Sequence, residues 1–162
     1  MEISNKEKKL ISAVVYLHNE EDRIVSFLER ITGVLGHLFE TFEVIIVNDC
    51  SYDGSVENLR ASEWLRDCNI SMVNMSVHQG LEVSMTAGID LSMGDFVYEF
   101  DDLNADYAES LIADAYFHIV KGFDIVSVAP KKQNTLLSGF FYGLFNRYSQ
   151  SKYKLRSARF RI

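Results

Sequence analysis

Short apolar runs rich in β-branched residues recur along the chain, and stretches of helical periodicity separate them. The runs lie at residues 11–17, 42–47, 70–77, 96–100 and 123–129. Runs of this length and composition are typical of buried β-strands. Because strands alternate with helices, the pattern predicts repeated βαβ units and a parallel sheet.

The clearest predicted helix follows the first strand, where apolar residues recur on one face at helical spacing. That face is formed by Ile24, Phe27, Leu28, Ile31, Val34 and Leu35. Asn19 precedes it and is a candidate N-cap, since an Asn side chain accepts hydrogen bonds from the free amides of a first turn. A later helical pattern begins at Leu111 and stops at Gly122, a residue that commonly ends helices.

The strands at residues 13–15 and 44–47 are apolar on both faces, which fits a central sheet covered on both sides. We therefore predict an α/β fold with a Rossmann-like, mostly parallel central sheet and helices on both faces. Ligands of such sheets bind at the carboxyl ends of the strands. The residues that directly follow each apolar run are therefore the candidates for function.

Acidic and amide side chains follow three of the predicted strands. They occupy residues 18–22 (HNEED), 48–54 (NDCSYDG) and 101–106 (DDLNAD). Carboxylates gathered at one edge repel each other, and a divalent cation or hydrogen bonds from sugar hydroxyls relieve that cost. Asp and Asn are also common turn and cap residues, and we prefer this structural interpretation for Asp53.

The composition is that of an ordinary folded domain: 162 residues, 48% of them hydrophobic and 24% charged. These values exclude disordered, collagen-like and coiled-coil chains. No apolar run approaches the roughly 20 residues of a membrane span, and the N-terminus is charged where a signal peptide would be apolar. We expect a cytoplasmic protein. Cys50 and Cys68 lack metal-ligand spacing, and we assign them no role.

Charge is unevenly distributed: residues 1–130 carry a net charge of −15, and residues 131–162 carry +8. The tail contains the apolar stripe of a predicted helix at Leu136, Leu137, Phe140, Phe141, Leu144, Phe145 and Tyr148. Two interpretations that do not exclude each other are packing on the sheet or on a second subunit of a homodimer, and a peripheral position at an anionic membrane surface. The basic residues available for lipid phosphates are Lys152, Lys154, Arg156, Arg159 and Arg161. The acidic body argues against nucleic acid as a partner.

Two common nucleotide-binding signatures are absent from the sequence. There is no GxxxxGK[ST] loop and no GxGxxG after the first strand, which argues against kinases and dinucleotide dehydrogenases. A phospho-acceptor receiver domain would carry an acidic pair after its first strand, where this chain has His18 and Asn19. The position of the acids therefore excludes that class as well.

Four segments, in order along the chain, resemble motifs of the family 2 glycosyltransferases with a GT-A fold. Residues 13–21 (AVVYLHNEE) resemble the opening strand and its VIPAYNEE turn, and residues 47–55 (VNDCSYDGS) resemble VDDGSTDGS. Residues 78–88 (HQGLEVSMTAG) resemble NRGKGAALNAG, and residues 94–102 (GDFVYEFDD) resemble the GDYVVFLDAD segment that carries the DxD element.

The resemblance implies transfer of a hexosyl group from a nucleotide-diphosphate sugar, UDP- or GDP-linked. The implied acceptor is a saccharide or a polyprenyl phosphate, as in the dolichyl- and polyprenyl-phosphate sugar synthases and the polysaccharide-synthesis transferases. Such an enzyme would serve cell-surface polysaccharide or lipid-linked sugar synthesis in the cell envelope. It would be membrane-associated, at the inner face of the cell membrane.

The resemblance also implies the roles of single residues. Asp49 would accept hydrogen bonds from the base, with His18 in place of the family's tyrosine, and Glu20 and Ser51 would complete the nucleotide pocket. Asp101 would contact the ribose or the metal. The residues that would hold Mg²⁺ or Mn²⁺ on the diphosphate are Asp102 and Asp106, and the implied catalytic residues are Asp101 and Asp102.

Besides His18, the sequence departs from the family's pattern at four positions. Leu103 stands where the second DxD aspartate would be, so metal ligation falls to Asp102 and Asp106. Cys50 replaces a glycine and Tyr16 a proline, which both fit if the backbone there avoids positive φ. Glu99 lies inside a predicted strand, so we expect it either to pair with a cation or to lie on an exposed edge.

Residues 158–162 (ARFRI) resemble the start of the motif beyond which inverting members of the family usually carry their general base. No acid follows position 124 in this chain. We therefore expect a chain truncated at the C-terminus, in which residues 1–130 form the nucleotide-sugar-binding GT-A core and residues 131–162 begin the acceptor side. The alternative is a catalytically silent nucleotide-binding or assembly module with the same fold.

Overall fold

The computed structural model describes residues 6–129 and 158–162. The elements, in chain order, are β1 (Glu7–Leu17), α1 (Ile24–Leu38), β2 (Phe39–Asn48), α2 (Ser55–Ala61), a 3₁₀ helix (Glu63–Asp67), β3 (Ile70–Asn74), α3 (Leu81–Leu91), β4 (Phe96–Phe100), α4 (Ser110–Ile119), β5 (Ser127–Val128) and β6 (Phe160–Arg161). The predicted alternation of strands and helices is confirmed. The strand predicted at residues 123–129 is limited to Ser127–Val128, and β6 is an addition to the prediction.

The six strands form one sheet in the order β3-β2-β1-β4-β6-β5. The strands β1 to β4 are mutually parallel, and β6 runs antiparallel to both β4 and β5. Leu17 pairs with Asn48, and Val15 pairs with Phe100. This register brings the carboxyl ends of β1, β2 and β4 to the same edge of the sheet, as predicted for a mostly parallel α/β sheet.

Helices cover both faces of the sheet. The helices α1 and α4 pack on one face, in a core that includes Phe27, Ile31, Tyr98 and Ile112. On the other face, Met85 of α3 packs against Val14, Ile45 and Val47. A Cβ atom at Gly88 would collide with Val14 and Val47, so α3 approaches the sheet as closely as only glycine permits.

Of the two predicted helix ends, the stop of α4 is confirmed and the cap of α1 is wrong. Gly122, the predicted stop, has a φ of 101° just beyond α4, which confirms the prediction. The prediction that Asn19 caps α1 is wrong, because α1 begins at Ile24 and has no side-chain cap. Asn19 has a φ of 55°, and its amide oxygen instead accepts a hydrogen bond from the backbone of Tyr52. The Asn19 side chain thus connects the turn after β1 to the turn after β2.

A buried polar network fixes the turn between α3 and β4 to the middle of the sheet. The Ser12 hydroxyl donates to Glu43 at 2.6 Å, and both side chains are buried. Glu43 also accepts the amide of Met93 at 2.8 Å, while the amide of Gly94 donates to the Ser12 hydroxyl at 2.8 Å. Each buried polar atom in this network therefore has a partner, which makes its burial tolerable.

The predicted division at residue 130 stays a prediction, although β6 from the second segment contributes a strand to the core sheet. The predicted apolar stripe of the tail lies outside the described residues, as do Lys152, Lys154 and Arg156. No helix among residues 6–129 and 158–162 is long and apolar enough to span a membrane.

Candidate functional site

The carboxyl ends of three adjacent strands meet at one edge, because β1 lies between β2 and β4. His18 follows β1, Asp49 follows β2, and Asp101 follows β4 directly. This is the edge at which parallel α/β sheets bind their ligands. The three sequence-predicted residues therefore share the edge where a ligand would be expected.

Asp49 is fully buried and accepts hydrogen bonds from its own chain. The backbone amides of Gln79 and Gly80 donate to its two oxygens at 2.7 and 2.8 Å, and the Tyr16 hydroxyl donates to Oδ2 at 3.0 Å. Burial alone would raise the pKa of this carboxyl, but the hydrogen bonds and the nearby His78 lower it below its usual range. Asp49 is therefore a buried carboxylate that stays ionised.

Two histidines lie against this carboxylate. Nδ1 of His78 is 2.9 Å from Oδ2 of Asp49, and Nδ1 of His18 is 2.7 Å from the Asp49 backbone oxygen. The two imidazole rings face each other with centroids 4.3 Å apart. The exposed ring of Tyr52 meets His18 edge-on at 6.1 Å. The edge thus carries three aromatic rings around one buried charge.

The turn after β2 has a strained residue next to Asp49. Cys50 has a φ of 57°, the left-handed conformation that favours glycine. The condition under which Cys50 would fit this turn, a backbone without positive φ, is therefore not met. Ser51 closes the same turn: its hydroxyl accepts the amide of Asn19, and its own amide donates to Asn48.

Glu20 and Asp53 hold neighbouring parts of this edge. Glu20 pairs with Arg23 at 2.5 Å, and Arg23 reaches across to the amide oxygen of Asn104 after β4. Asp53 accepts the amides of Glu21 and Ser55, which agrees with its interpretation as a turn residue. The Glu20 carboxylate is therefore engaged by a cation of its own turn in this structure.

Asp101 lies beside a second carboxylate and an arginine of β6. Arg161 contacts Asp101 Oδ2 at 3.4 Å and donates to Glu99 at 2.7 and 2.8 Å. Of the two alternatives for Glu99, pairing with a cation is the observed one. Burial raises the pKa of Asp101 above its usual range; Arg161 opposes this shift, and Glu99 adds to it.

The carboxylates after Asp101 contact the other arginine of the terminal segment. Arg159 bonds Asp106 at 2.6 Å and lies 3.7 Å from Asp102, which also accepts the amide of Asn104. Leu103 is buried in the core, so its side chain is packed away from this charged edge. The oxygen ligands that remain for a cation here belong to Asp101, Asp102 and Asp106.

Asp101, Asp102 and Asp106 supply oxygen atoms of the type that a divalent cation bound together with phosphates uses, but they now contact arginines and do not converge on one point. Oδ1 of Asp101 is buried and has no hydrogen-bond partner within the described residues, so it is an acceptor that a cation would satisfy. Mg²⁺ and Mn²⁺ prefer such oxygen ligands, and Mg²⁺ commonly takes one or two carboxylates plus substrate phosphates.

Sequence reasoning missed four residues that the structure brings to this edge: Tyr16, His78, Arg159 and Arg161. His78 directly follows the apolar run at residues 70–77, and this position after a predicted strand was the signal that could have found it. The alternation of Arg and apolar residues over 159–162 was a signal for a strand with one charged face. Arg159 and Arg161 are paired with carboxylates in this structure, and their predicted contact with lipid phosphates stays a prediction.

Comparison with curated proteins finds glycosyltransferases. The chain is 30% identical to an uncharacterized glycosyltransferase of Synechocystis sp. over 158 residues, 94% of this chain and 49% of that protein. It is 30% identical over 99 residues to the undecaprenyl-phosphate 4-deoxy-4-formamido-L-arabinose transferase of Aeromonas hydrophila, 61% of this chain and 30% of that protein. The matches thus span half or less of each relative.

Solved structures with the same fold include two glycosyltransferases. The mannosyltransferase of Pyrobaculum calidifontis in complex with GDP-Man and Mn²⁺ aligns with a TM-score of 0.62 at 20% identity, covering 86% of this chain and 39% of that one. Glucosyl-3-phosphoglycerate synthase of Mycobacterium tuberculosis, with Mn²⁺, UDP and phosphoglyceric acid, gives 0.70 at 18% identity, covering 94% and 55%. These likenesses confirm the GT-A fold.

The family comparison covers the described edge almost completely. The pattern of the family described as "Glycosyl transferase family 2" matches residues 12–156, which include most of β1, all of β2 to β5 and every predicted site residue. The match agrees with the four motifs and with the sheet that presents them at one edge. The chain therefore belongs to glycosyl transferase family 2.

Proposed function

We propose that this chain is the donor-binding domain of an enzyme that transfers a sugar from a nucleotide-diphosphate sugar. The observation that carries the proposal is the paired placement of Asp49 and Asp101, after the two strands that flank β1. A nucleotide that spans this edge would meet one carboxylate at its base and the other near its diphosphate. Membership of the family supplies the reaction class.

At the diphosphate end, Asp101 and Asp102 would hold Mg²⁺ or Mn²⁺, with Asp106 as a further ligand. The cation would neutralise the charge that grows on the diphosphate as the bond to the anomeric carbon breaks. The unpartnered Oδ1 of Asp101 supports this assignment. Arg159 and Arg161 now pair with these carboxylates, so both guanidinium groups would lie close to the phosphates.

At the base end, Asp49 would accept an N–H of the base, with His18 beside the ring and Ser51 and Glu20 at the rim of the pocket. Asp49 is fully covered in this structure by the turn that carries His78 and Gln79. A base would therefore reach this carboxylate only after that turn shifts. We therefore expect the environment of the His78 imidazole to change when a nucleotide binds.

The acceptor side is inferred from the relatives. The Aeromonas relative is named for an undecaprenyl-phosphate acceptor, and on this basis we propose a polyprenyl phosphate or a saccharide for this protein. Synthesis of lipid-linked sugars or cell-surface polysaccharide would place the enzyme in the cytoplasm, at the inner face of the membrane. A membrane surface and a second copy of the chain remain proposed partners of the tail.

The test is calorimetric titration with UDP and with GDP, each with and without Mn²⁺. We expect binding that Mn²⁺ strengthens, and we expect Asp102→Asn to remove the Mn²⁺ effect. Asp90→Asn, which changes an exposed residue of α3, is the matched control. Binding of equal strength in all conditions and variants would contradict the metal assignment. No nucleotide binding at all would favour the alternative, a silent assembly module. The pairing of Arg159 and Arg161 with the acids is the observation that favours this alternative.

A further inference from the structure

A second group of potential metal ligands lies at the β1 and β2 ends of the edge and differs in chemistry from the carboxylates after β4. His18, Asp49 and His78 each offer one ligand atom, and these three atoms all lie within 4.8 Å of one another. They come from the ends of β1 and β2 and from the loop before α3. Within residues 6–129 and 158–162, no other three His, Cys, Asp or Glu side chains converge in this way.

The protonation of His18 suits a metal ligand. Its Nδ1 lies 2.7 Å from the backbone oxygen of Asp49, and a carbonyl oxygen can only accept, so Nδ1 carries the proton. The lone pair is therefore on Nε2, where it accepts the side-chain amide of Asn19 at 3.0 Å, and an ion bound at Nε2 would displace this amide. A histidine that binds a metal through one nitrogen commonly donates its other N–H to a backbone carbonyl, which fixes the ring.

The carboxylate of Asp49 is oriented before any ion binds. The amides of Gln79 and Gly80 hold its two oxygens, and the Tyr16 hydroxyl adds a third hydrogen bond. Ligating carboxylates are typically held by such bonds from the surrounding protein. Because these donors leave Asp49 buried but ionised, it offers a fixed negative charge to an ion that arrives beside it.

His78 provides both the third ligand and the route of entry. Its side chain is 56% exposed, whereas that of Asp49 is fully buried. Its Nδ1 now bonds Asp49 Oδ2 at 2.9 Å, a hydrogen-bond distance, so the two atoms would separate by roughly 0.5 Å to take tetrahedral positions about 2.0–2.2 Å from one ion. An ion that enters here would replace this hydrogen bond, and the exposed His78 side chain would move to admit it.

We propose that His18, Asp49 and His78 form a binding site for a late first-row divalent cation, with Zn²⁺ or Co²⁺ as the fitting ions. Two imidazoles and one carboxylate suit these ions, whereas Mg²⁺, Ca²⁺ and Mn²⁺ prefer oxygen ligands. The site is thus chemically distinct from the oxygen ligands at Asp101 and Asp102. Three protein ligands leave the remaining coordination position to water.

Calorimetric titration with Zn²⁺ and visible absorption with Co²⁺, both in the absence of nucleotide, test the site. We expect one ion per chain and a Co²⁺ spectrum typical of nitrogen and oxygen ligands. His18→Gln and His78→Gln should each weaken Zn²⁺ binding about tenfold or more. The chain has four histidines, so His37→Gln and His118→Gln, both exposed and outside the cluster, are matched controls that should bind as the unchanged protein does.

Two results would overturn the site: equal Zn²⁺ affinity in all four histidine variants, or a Co²⁺ spectrum that stays that of the hydrated ion. Both replaced ligands are at least partly exposed, so their variants are expected to fold, and circular dichroism verifies this. The ion and a nucleotide base would compete for His18 and Asp49, and because no nucleotide is present, the titration tests the ion alone. Failure of one proposal therefore leaves the other open to its own test.

Discussion

Asp49 and Asp101 occupy equivalent places in the sheet, since each directly follows a strand that flanks β1. Their surroundings differ sharply. Asp49 is surrounded by donors, and its pKa lies below the usual range because those donors outweigh its burial. Burial raises the pKa of Asp101, which Arg161 only partly opposes, and one of its oxygens lacks a partner within the described residues.

The two carboxylates therefore affect the stability of the folded chain in opposite ways when they are ionised. The ionised form of Asp49 stabilises the folded chain, because it closes the turn at residues 78–80 onto β2. The ionised form of Asp101 is unfavourable in the folded chain, and a cation from outside would relieve it. The edge therefore combines a carboxylate whose charge the chain itself satisfies with one whose charge the described residues satisfy only in part.

Replacing Asp49 should have the largest effect on stability. In Asp49→Asn, an amide NH₂ group would face backbone N–H groups that now donate to an oxygen. We expect the free energy of unfolding to fall by about 3 kcal/mol at neutral pH. Urea unfolding measures the change, with the exposed Asp90→Asn as control. A loss no greater than that of the control would show that Asp49 is not part of the scaffold.

Removing the arginine beside Asp101 should have the next largest effect. Arg161→Ala leaves Glu99 and Asp101 without this cation, and we expect a loss of about 2 kcal/mol at neutral pH. The loss should shrink as the pH falls, because protonation removes the repulsion between the two acids. Lys9→Ala, which breaks the exposed pair with Asp95, should cost under about 1 kcal/mol and serves as control. Equal losses in the two variants would contradict the prediction.

Replacing Asp101 itself should stabilise the chain. Because its folded pKa lies above its unfolded value, the wild-type protein gains stability relative to Asp101→Asn as pH falls through the folded pKa towards the unfolded one. The variant should therefore melt at a higher temperature than the wild type at neutral pH, and this advantage should vanish in acid. Thermal melts across this pH window measure it. A lower melting temperature at neutral pH would place Asp101 with Asp49 as a scaffold residue.

The smallest effect is expected at the turn that follows Asp49. Cys50→Gly should stabilise the chain by about 1 kcal/mol, because glycine adopts the φ of 57° without the cost that a Cβ brings. Cys50→Ala keeps the Cβ and should give no such gain, so it is the matched control. Chemical unfolding compares the two variants. Equal stability would show that the turn carries no strain.

The central part of the fold could be predicted because burial on both faces marks a strand strongly. The segments at residues 11–17, 42–47 and 96–100 are all within observed strands. The strand β6 was harder to find, since two residues in one strand give little periodicity, and its partner β4 is distant in sequence. Pairing of Glu99 with Arg161 joins positions 62 residues apart, a contact that local patterns do not encode.

The site could be predicted by position but not by environment. The order of strands and helices in the sequence alone predicts that His18, Asp49 and Asp101 lie at one edge. The donors to Asp49 could not be predicted, because two of them are backbone amides that any residue could supply. Asn19 shows the same limit: its residue type fits a helix cap, but the competing turn at Tyr52 uses its side chain.

Gly94 gives a different meaning to one of the family motifs. A Cβ atom at this position would lie 2.5 Å from the backbone nitrogen of Ser12, and the Gly94 amide donates to the Ser12 hydroxyl. The glycine that opens residues 94–102 is thus required by close packing, at the start of β4 and away from the carboxyl edge. A related protein without any catalytic residue would still need this glycine for packing. This part of the motif therefore reflects the shared fold, and only the carboxylates at its C-terminal end can reflect a shared catalytic function.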